Sequence, residues 1–388
     1  MSEARINRIS NESGTGGPTL SGITTFSGLN YFVPPKGTTA ERPSNAPPGS
    51  LRFNTDSAHI EYYDGIQWLD FEAFNVEIGI STAAAPASGG LGHRGVFAGG
   101  YSPDGPTSSN KINYVNIAST GNAIEFGILT QARIALGALS SSTRSVFAGG
   151  LLNPANQSTI DFITISSTGN ATSFGSLSVA RHWVQTGSNS TRGLFAAGNS
   201  GGSPVSHVNI IDYITIASTG NAVDFGDISY LASVTSGSSC CSSTRAIFAG
   251  GAVPGGGLQN NIEFVTISTL GNSVDFGDAT INRGRDGRCS NATRGLFGGN
   301  SGQSNTIEYI TIAQLGNSID FGDLTQGREN LNACSSPTRG VWGGGQTPTN
   351  QNTIDYVTIM STGNAIDFGD LTYVSNHNCA CSNGHGGL

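Results

Sequence analysis

The residues best suited to acid and base work belong to a recurring Asp-Phe-Gly-Asp string: Asp224 and Asp227, Asp275 and Asp278, Asp320 and Asp323, Asp367 and Asp370. Two carboxylates flanking one bond are what glycoside hydrolysis requires. A reaction centre has no use for identical copies spread along a chain, and aspartates beside tight turns serve the turn chemistry itself. These carboxylates therefore read as structural. The cysteines are Cys240, Cys241, Cys289, Cys334, Cys379 and Cys381, and they lack the Cys-x-x-Cys or histidine spacing of a metal centre. Four of them, Cys240, Cys289, Cys334 and Cys381, fall at equivalent places in successive copies of a repeat, too far apart for a disulfide. Small, buried, reduced side chains are expected there. His182 and Trp183 have no nucleophile beside them, and no glycine-rich phosphate loop precedes a helix. The chain reads as no enzyme, with no cofactor and no bound metal.

What positions these residues is a block of roughly 49 residues that occurs six times between His93 and Asp370. An aromatic and a glycine pair recur at Phe97, Phe147, Phe195 (there with Ala-Ala-Gly), Phe248, Phe297 and Trp342, and a Gly-Asn turn recurs at Asn122, Asn170, Asn221, Asn272, Asn317 and Asn364. The 56 glycines and 11% charged residues fit many short strands and tight turns. Net charge is −8, and Lys36 and Lys111 are the only lysines, which argues against nucleic acid as a partner. The first residues carry neither a basic leader with an apolar core nor a bilayer-length apolar run, so an unsecreted chain without membrane insertion is expected.

Each copy resolves into four strands, for example 134–140, 145–149, 160–165 and 171–177. Ile307 to Ile312 alternates apolar and polar, as a half-buried strand does. The Gly-Asn turn supplies the positive φ that a hairpin from third to fourth strand needs. Radial repetition of such sheets predicts an all-β chain built as a β-propeller. Six sets of second to fourth strands are present, and residues 376–382 match a first strand, whereas residues 83–90 hold Pro86 and make a poor one. The expectation is six blades of four antiparallel strands, closed by the strand at 376–382. Using 74–79 as an outer strand would give seven blades.

The repeats resemble the kelch family of propellers: a glycine pair ends the second strand, an aromatic sits in the third (Tyr114, Phe162, Tyr213, Phe264, Tyr309, Tyr356), and an arginine precedes the next first strand (Arg133, Arg181, Arg328). The family's fourth-strand tryptophan is phenylalanine here, at Phe126, Phe174, Phe225, Phe276, Phe321 and Phe368. Residues 48–68, from Pro48 to Trp68, resemble a short β-motif of fibre and appendage proteins of tailed bacteriophages. The repeat text is similar to repeats in structural proteins of marine and cyanobacterial phages. These resemblances imply a virion location and a structural role, as a tail- or fibre-associated adhesin or, alternatively, a head or neck decoration protein. A glycan-cleaving enzyme is the third class.

The expected organisation is a Ser/Gly/Pro-rich docking arm and spacer (1–50), a small β-hairpin motif (51–73), a linker (74–92) and the propeller (93–388). A hairpin that short gains stability by docking, so residues 1–73 are expected to bind other virion proteins within a homo-oligomer, with Tyr62, Tyr63, Trp68 and Phe71 as anchors. The second-to-third loops and the fourth-to-first connections share one face and vary most between copies. His182, Trp183, Tyr230, Arg283, Arg285, Asp286, Arg328, Glu329, Asn332, Tyr373 and His377 are expected to be exposed there and to bind a host-surface glycan or protein.

Overall fold

The computed structural model describes residues 34–57, 59–70, 93–101, 108–201, 206–232, 238–255 and 257–388, which belong to two units, Met1–Phe74 and Asn75–Leu388. The chain is all-β, and among the described residues one 3₁₀ turn, Thr39–Glu41, is the only helical element. Residues 1–33 of the expected arm and spacer, the linker (74–92) and the alternative outer strand at 74–79 lie outside the described residues.

In the larger unit, sheet 1 joins Cys379–Ser382 to Arg94–Ala98, Lys111–Asn116 and Ile124–Ile128. Sheet 2 is Gly137–Ser140, Arg144–Ala148, Thr159–Thr164 and Thr172–Ser176; sheet 3 is Gln185–Ser188, Arg192–Ala196, Val208–Thr215 and Val223–Ala232. Sheet 4 has Arg245–Ala252, Leu258–Thr266 and Val274–Arg283. Sheet 5 is Gly287–Ser290, Arg294–Asn300, Ser304–Thr311 and Ile319–Asp323; sheet 6 is Asn332–Ser335, Arg339–Gly343, Thr353–Thr358 and Ile366–Asp370. All pairs are antiparallel, including the long-range pair of Cys379 with Ala98 and Ser382 with Gly95.

The arginine that opens each second strand explains how one sheet meets the next. Arg94 stacks on Tyr114 of its own sheet and donates to the Ile165 carbonyl of sheet 2 at 2.7 Å. The same bond runs from Arg144 to Ile216, Arg192 to Ile267, Arg245 to Ile312 and Arg294 to Ile359, and from Arg339 of sheet 6 to Ile117 of sheet 1. Each third-strand aromatic in turn meets a fourth-strand phenylalanine edge to face, as Tyr114 does Phe126 at 5.8 Å. The Gly-Asn turns serve the same junctions: Asn170 Oδ1 accepts from the Ile128 amide, and Asn122 Oδ1 accepts from the Asp370 amide at 3.0 Å.

Apolar burial follows the same order. Six clusters of buried residues are each shared by two consecutive sheets; Phe97 and Ile117 of sheet 1 pack with Val341 and Phe368 of sheet 6. All six cysteines are free and buried, and burial pushes their thiols up. Cys240 lies so close to Gly295 of sheet 5, and Cys334 to Gly95 of sheet 1, that a Cβ at either glycine would collide with sulfur. That contact accounts for glycine after the arginine in those copies.

The smaller unit forms one sheet in the order Lys36–Gly37, Leu51–Asn54, His59–Tyr63 and Trp68–Asp70, its first pair parallel. The expected spacer thus contributes a strand. Glu61 is fully buried, paired with Arg42 at 2.6 Å and Arg52 at 3.3 Å, and bonding to Arg42 holds its carboxyl below the usual range. A unit this small has little apolar interior, and the charge cluster ties the spacer to the sheet.

Candidate functional site

Six of the eleven expected binding residues are buried: Arg283, Asp286, Arg328, Glu329, Asn332 and His182. The expectation that they are exposed is corrected, and the reason is a repeated ion pair. Arg133 meets Asp161 at 2.5 Å, Arg181 meets Asp212 at 3.0 Å, Arg283 meets Glu308 at 2.6 Å, and Arg328 meets Asp355. The acid precedes the third-strand aromatic, and the guanidinium also holds strand-end carbonyls, as Arg328 does those of Gly344 (2.7 Å) and Thr353 (2.8 Å). Two copies have Ala232 and Ser375 at the arginine's place and use a tyrosine two residues earlier. Tyr373 donates to Gly99 at 2.9 Å and Tyr230 to Gly250 at 2.7 Å, which are equivalent carbonyls served without charge. Opposite Tyr373 the acid has become Asn113, bonded to Thr372. Both tyrosines are half-buried, with burial pushing Tyr373 up to about 12.

Asp286 has a different task. Residues 233–237 lie outside the described ones, and in the described part of sheet 4 first-strand pairing is reduced to single bridges at Ser239 and Cys241. In sheets 2 and 3 the residue equivalent to Ala249 pairs with a first-strand residue, Ala148 with Gly137 and Ala196 with Gln185. Ala249 instead donates its amide to the Gln185 side chain at 3.0 Å and accepts from Arg288 at 2.6 Å. Asp286 neutralises Arg288 through two bonds of 3.0 Å. Side chains thus occupy backbone positions that a strand would fill. Asn332 is likewise internal, donating to the Asn378 carbonyl.

The remaining expected residues come together at the end where the first strands begin. Ala135, Trp183, Arg285, Asn330 and His377 occupy equivalent places there with φ between 52° and 66°. They bond in series: Trp183 N–H to Ala135 O (2.8 Å), Ala135 N–H to His377 O (2.8 Å), His377 N–H to Asn330 O (2.9 Å), and Asn330 N–H to Arg285 O (2.7 Å). Left-handed backbone costs about 1–2 kcal/mol at a residue with a Cβ, and glycine escapes that cost. A chain that uses glycine freely has kept Trp, His, Asn and Arg here. Strained backbone of this kind concentrates at functional sites. Sequence reasoning found Trp183, Arg285 and His377 in this rim and missed Ala135 and Asn330.

Around the rim the side chains are oriented by second partners. Trp183 lies against His182, ring centroids 4.5 Å apart, and His377 meets Tyr101 edge to face at 5.6 Å. Asn156 donates its amide to the Asn199 carbonyl, which turns its oxygen to His182 Nδ1 at 2.7 Å. A chain of amides does the same for His377: Gln346 donates to Glu329 (2.8 Å), Asn376 donates to Gln346 (2.5 Å), and Asn376 Oδ1 is left for His377 Nδ1 at 3.2 Å. This network assigns the ring proton to Nδ1 in both histidines and leaves Nε2 as an acceptor. Burial pushes both rings down to about 4, so both are neutral near pH 7. Arg285 is exposed and pairs with Glu329 at 3.3 Å.

The opposite end of the first strands is filled. Serines 140, 188, 290, 335 and 382 hydrogen-bond between sheets, for example Ser188 to the Ser140 carbonyl at 2.9 Å and Ser335 to that of Ser290 at 2.7 Å. Residues 383–388 close over them. His385 is buried, bonded to the Ser140 carbonyl at 2.9 Å and 3.4 Å from the Cys241 sulfur, and Gly386 donates to Ser290 at 2.9 Å. Burial pushes His385 down to about 4 and Cys241 up to about 11, so this pair carries no thiolate chemistry at neutral pH. Only its glycines mark this segment in the sequence.

The Asp-Phe-Gly-Asp carboxylates sit one pair per fourth strand, exposed at Asp224, Asp275, Asp320 and Asp367, and do not converge. In the smaller unit Tyr63 and Trp68 touch, ring centroids 5.3 Å apart; Tyr62 is half-buried on the other sheet face, and Phe71 lies outside the described residues. That other face carries Leu51 (51% exposed), Phe53, Ile60 (45% exposed) and Leu69. Among the described residues no group of three or more His, Cys, Asp or Glu side chains could hold a metal, and no helix is long and apolar enough to cross a membrane. Comparison with protein-family models and with curated proteins finds no match for this chain.

Proposed function

We propose that the six sheets are the blades of a kelch-like, six-bladed β-propeller closed by the strand Cys379–Ser382. The sheet-to-sheet bonds support this, since the arginine series returns from Arg339 to Ile117 and the apolar clusters follow the same cyclic order. On this reading the protein is a non-enzymatic structural protein of a tailed-bacteriophage virion, a tail- or fibre-associated adhesin. Its propeller presents the rim of Trp183, His377, Asn330 and Arg285 to the host surface. The rim carries the reading: side chains kept on left-handed backbone, all different, at one end of an otherwise repetitive unit. The apolar face of Leu51, Phe53, Ile60, Tyr62 and Leu69 favours residues 1–73 as the part that docks on other virion proteins, in a homo-oligomer.

Antibody-gold electron microscopy of intact phage particles, with antibody raised against the full chain, tests the assignment. Label at the tail tip or fibres is expected. Label on the head or neck would replace the adhesin by a decoration protein, and unlabelled particles would sink the virion role.

A further inference from the structure

Within the rim, Ala135 stands between Trp183 and His377 and offers only a methyl group. One neighbour is the His182–Trp183 pair and the other the His377–Tyr101 pair. Two relay steps separate Trp183 from His377, roughly 10 Å if each spans one inter-strand spacing. That backbone span leaves room for a single six-membered sugar ring over Ala135.

The polarity of those neighbours selects the ligand. Nε2 of His182 and of His377 bonds to no described residue, while Nδ1 of each is committed to an asparagine oxygen. Both nitrogens are therefore acceptors, and that of His377, the less buried ring, calls for a ligand with a hydrogen-bond donor. A metal cation is disfavoured because the nearby carboxylate, Glu329, is already used by Gln346, Arg285 and the Gly302 amide. An anionic ligand is disfavoured too: Arg285 is paired, the imidazoles are neutral near pH 7, and the chain carries −8. Uncharged donors remain, and sugar hydroxyls are the class that also brings an apolar face. The C–H face of a pyranose is apolar with partly positive hydrogens, which the negative face of an indole attracts.

We propose that the rim binds an uncharged saccharide, one pyranose ring lying on Trp183 over Ala135 while a hydroxyl donates to Nε2 of His377. This rests on the reading of the rim as the host-binding end, and it adds the ligand's chemical class.

Saturation-transfer NMR and titration calorimetry on the full chain would use methyl glycosides of glucose, galactose, mannose and N-acetylglucosamine, with glucuronate and sialyllactose as acidic probes. Saturable binding of a neutral glycoside is expected, insensitive to added salt. Trp183→Ala should weaken it about tenfold or more. His377→Phe, which keeps a ring and removes the acceptor, should weaken it comparably, so the test does not hang on one variant's folding. Preference for the acidic probes, binding to none of the six, or neutral binding indifferent to both substitutions would overturn the proposal. Fluorescently labelled protein on host cells separates the two readings. Cell binding that both variants retain sinks the ligand assignment and leaves the adhesin. Saccharide binding without cell binding supports the ligand assignment and sinks the adhesin.

Discussion

At one end of the first strands the chain repeats itself, and at the other it does not. The filled end uses serine in five sheets, and those serines bond to one another under His385 and Gly386. The rim end uses Ala135, Trp183, Arg285, Asn330 and His377 at equivalent places, each with an unfavourable backbone angle. Where every copy has the same residue, the residue serves the fold; where copies differ and the backbone is strained, side-chain identity has a separate use. The same rule sorts the buried arginines, which recur with their acids and so belong with the fold.

The largest expected effect tests that sorting at Arg328, a residue whose sequence position suggested binding. Arg328→Ala leaves the Asp355 carboxylate buried without its partner and should cost about 3–5 kcal/mol in chemical denaturation. Saccharide binding per folded molecule should be unchanged. A loss below about 1 kcal/mol, or a specific loss of binding, would put Arg328 with the rim.

Acid should strike both ends, and the filled end can be isolated. His385 sits near 4 in the folded protein against an ordinary value of 6.5. Between those values the unfolded chain holds a proton that the folded chain lacks, so stability is full above about pH 6.5 and falls as pH drops toward 4. One such group accounts for about 3 kcal/mol over the whole window. Denaturation midpoints of His385→Asn across that window should show a shallower slope than the unsubstituted protein. The remaining slope includes His182 and His377 at the rim, with His207 depressed in the same direction and the lowered carboxyl of Glu61 adding to it at the acid end. An identical slope would mean that His385 is not buried as described.

Gln185→Ala probes the side-chain substitute for backbone pairing in sheet 4. It strips the Ala249 amide and one bond of Arg288 of their acceptor, at an expected cost of about 1–3 kcal/mol. The mirror test is Thr186→Ala on the next residue, whose hydroxyl bonds the Ala138 carbonyl at 2.7 Å and the Ser239 hydroxyl at 3.0 Å, neither of them charged. It should cost about 1 kcal/mol, because the carbonyl loses one donor rather than a charged network.

The strands, the Gly-Asn hairpins and the pairing of 379–382 with 94–98 could be read in the sequence because each depends on local alternation and turn chemistry repeated in every copy. The arginine pairs could have been read the same way. An acid precedes the third-strand aromatic at Asp161, Asp212, Glu308 and Asp355, and each partner arginine lies about one strand-pair earlier. Setting the tyrosine copies, Tyr230 and Tyr373, beside the arginine copies would have shown one internal task for both. The rim's backbone was not legible, since Ala, Trp and Arg are residue types that argue against positive φ, and a lone His or Asn is too weak a signal for it. Nor was the burial of His385, which depends on carbonyls that only the assembled first strands bring together.

The smallest expected effect is also the sharpest test of strain at the rim. Arg285 is exposed, has φ 66°, and its one charged partner is Glu329 at 3.3 Å. A surface pair of this kind contributes about 0–1 kcal/mol. Arg285→Gly and Arg285→Ala both remove it, so their difference isolates the backbone. At an ordinary position alanine would be the more stable, because glycine has more freedom to lose on folding. Here the alanine Cβ keeps the left-handed penalty and glycine does not, so Arg285→Gly should be the more stable by about 1 kcal/mol in urea unfolding. If alanine equals or exceeds glycine, residue 285 is not held in that conformation in solution, and strain ceases to distinguish the rim from the filled end.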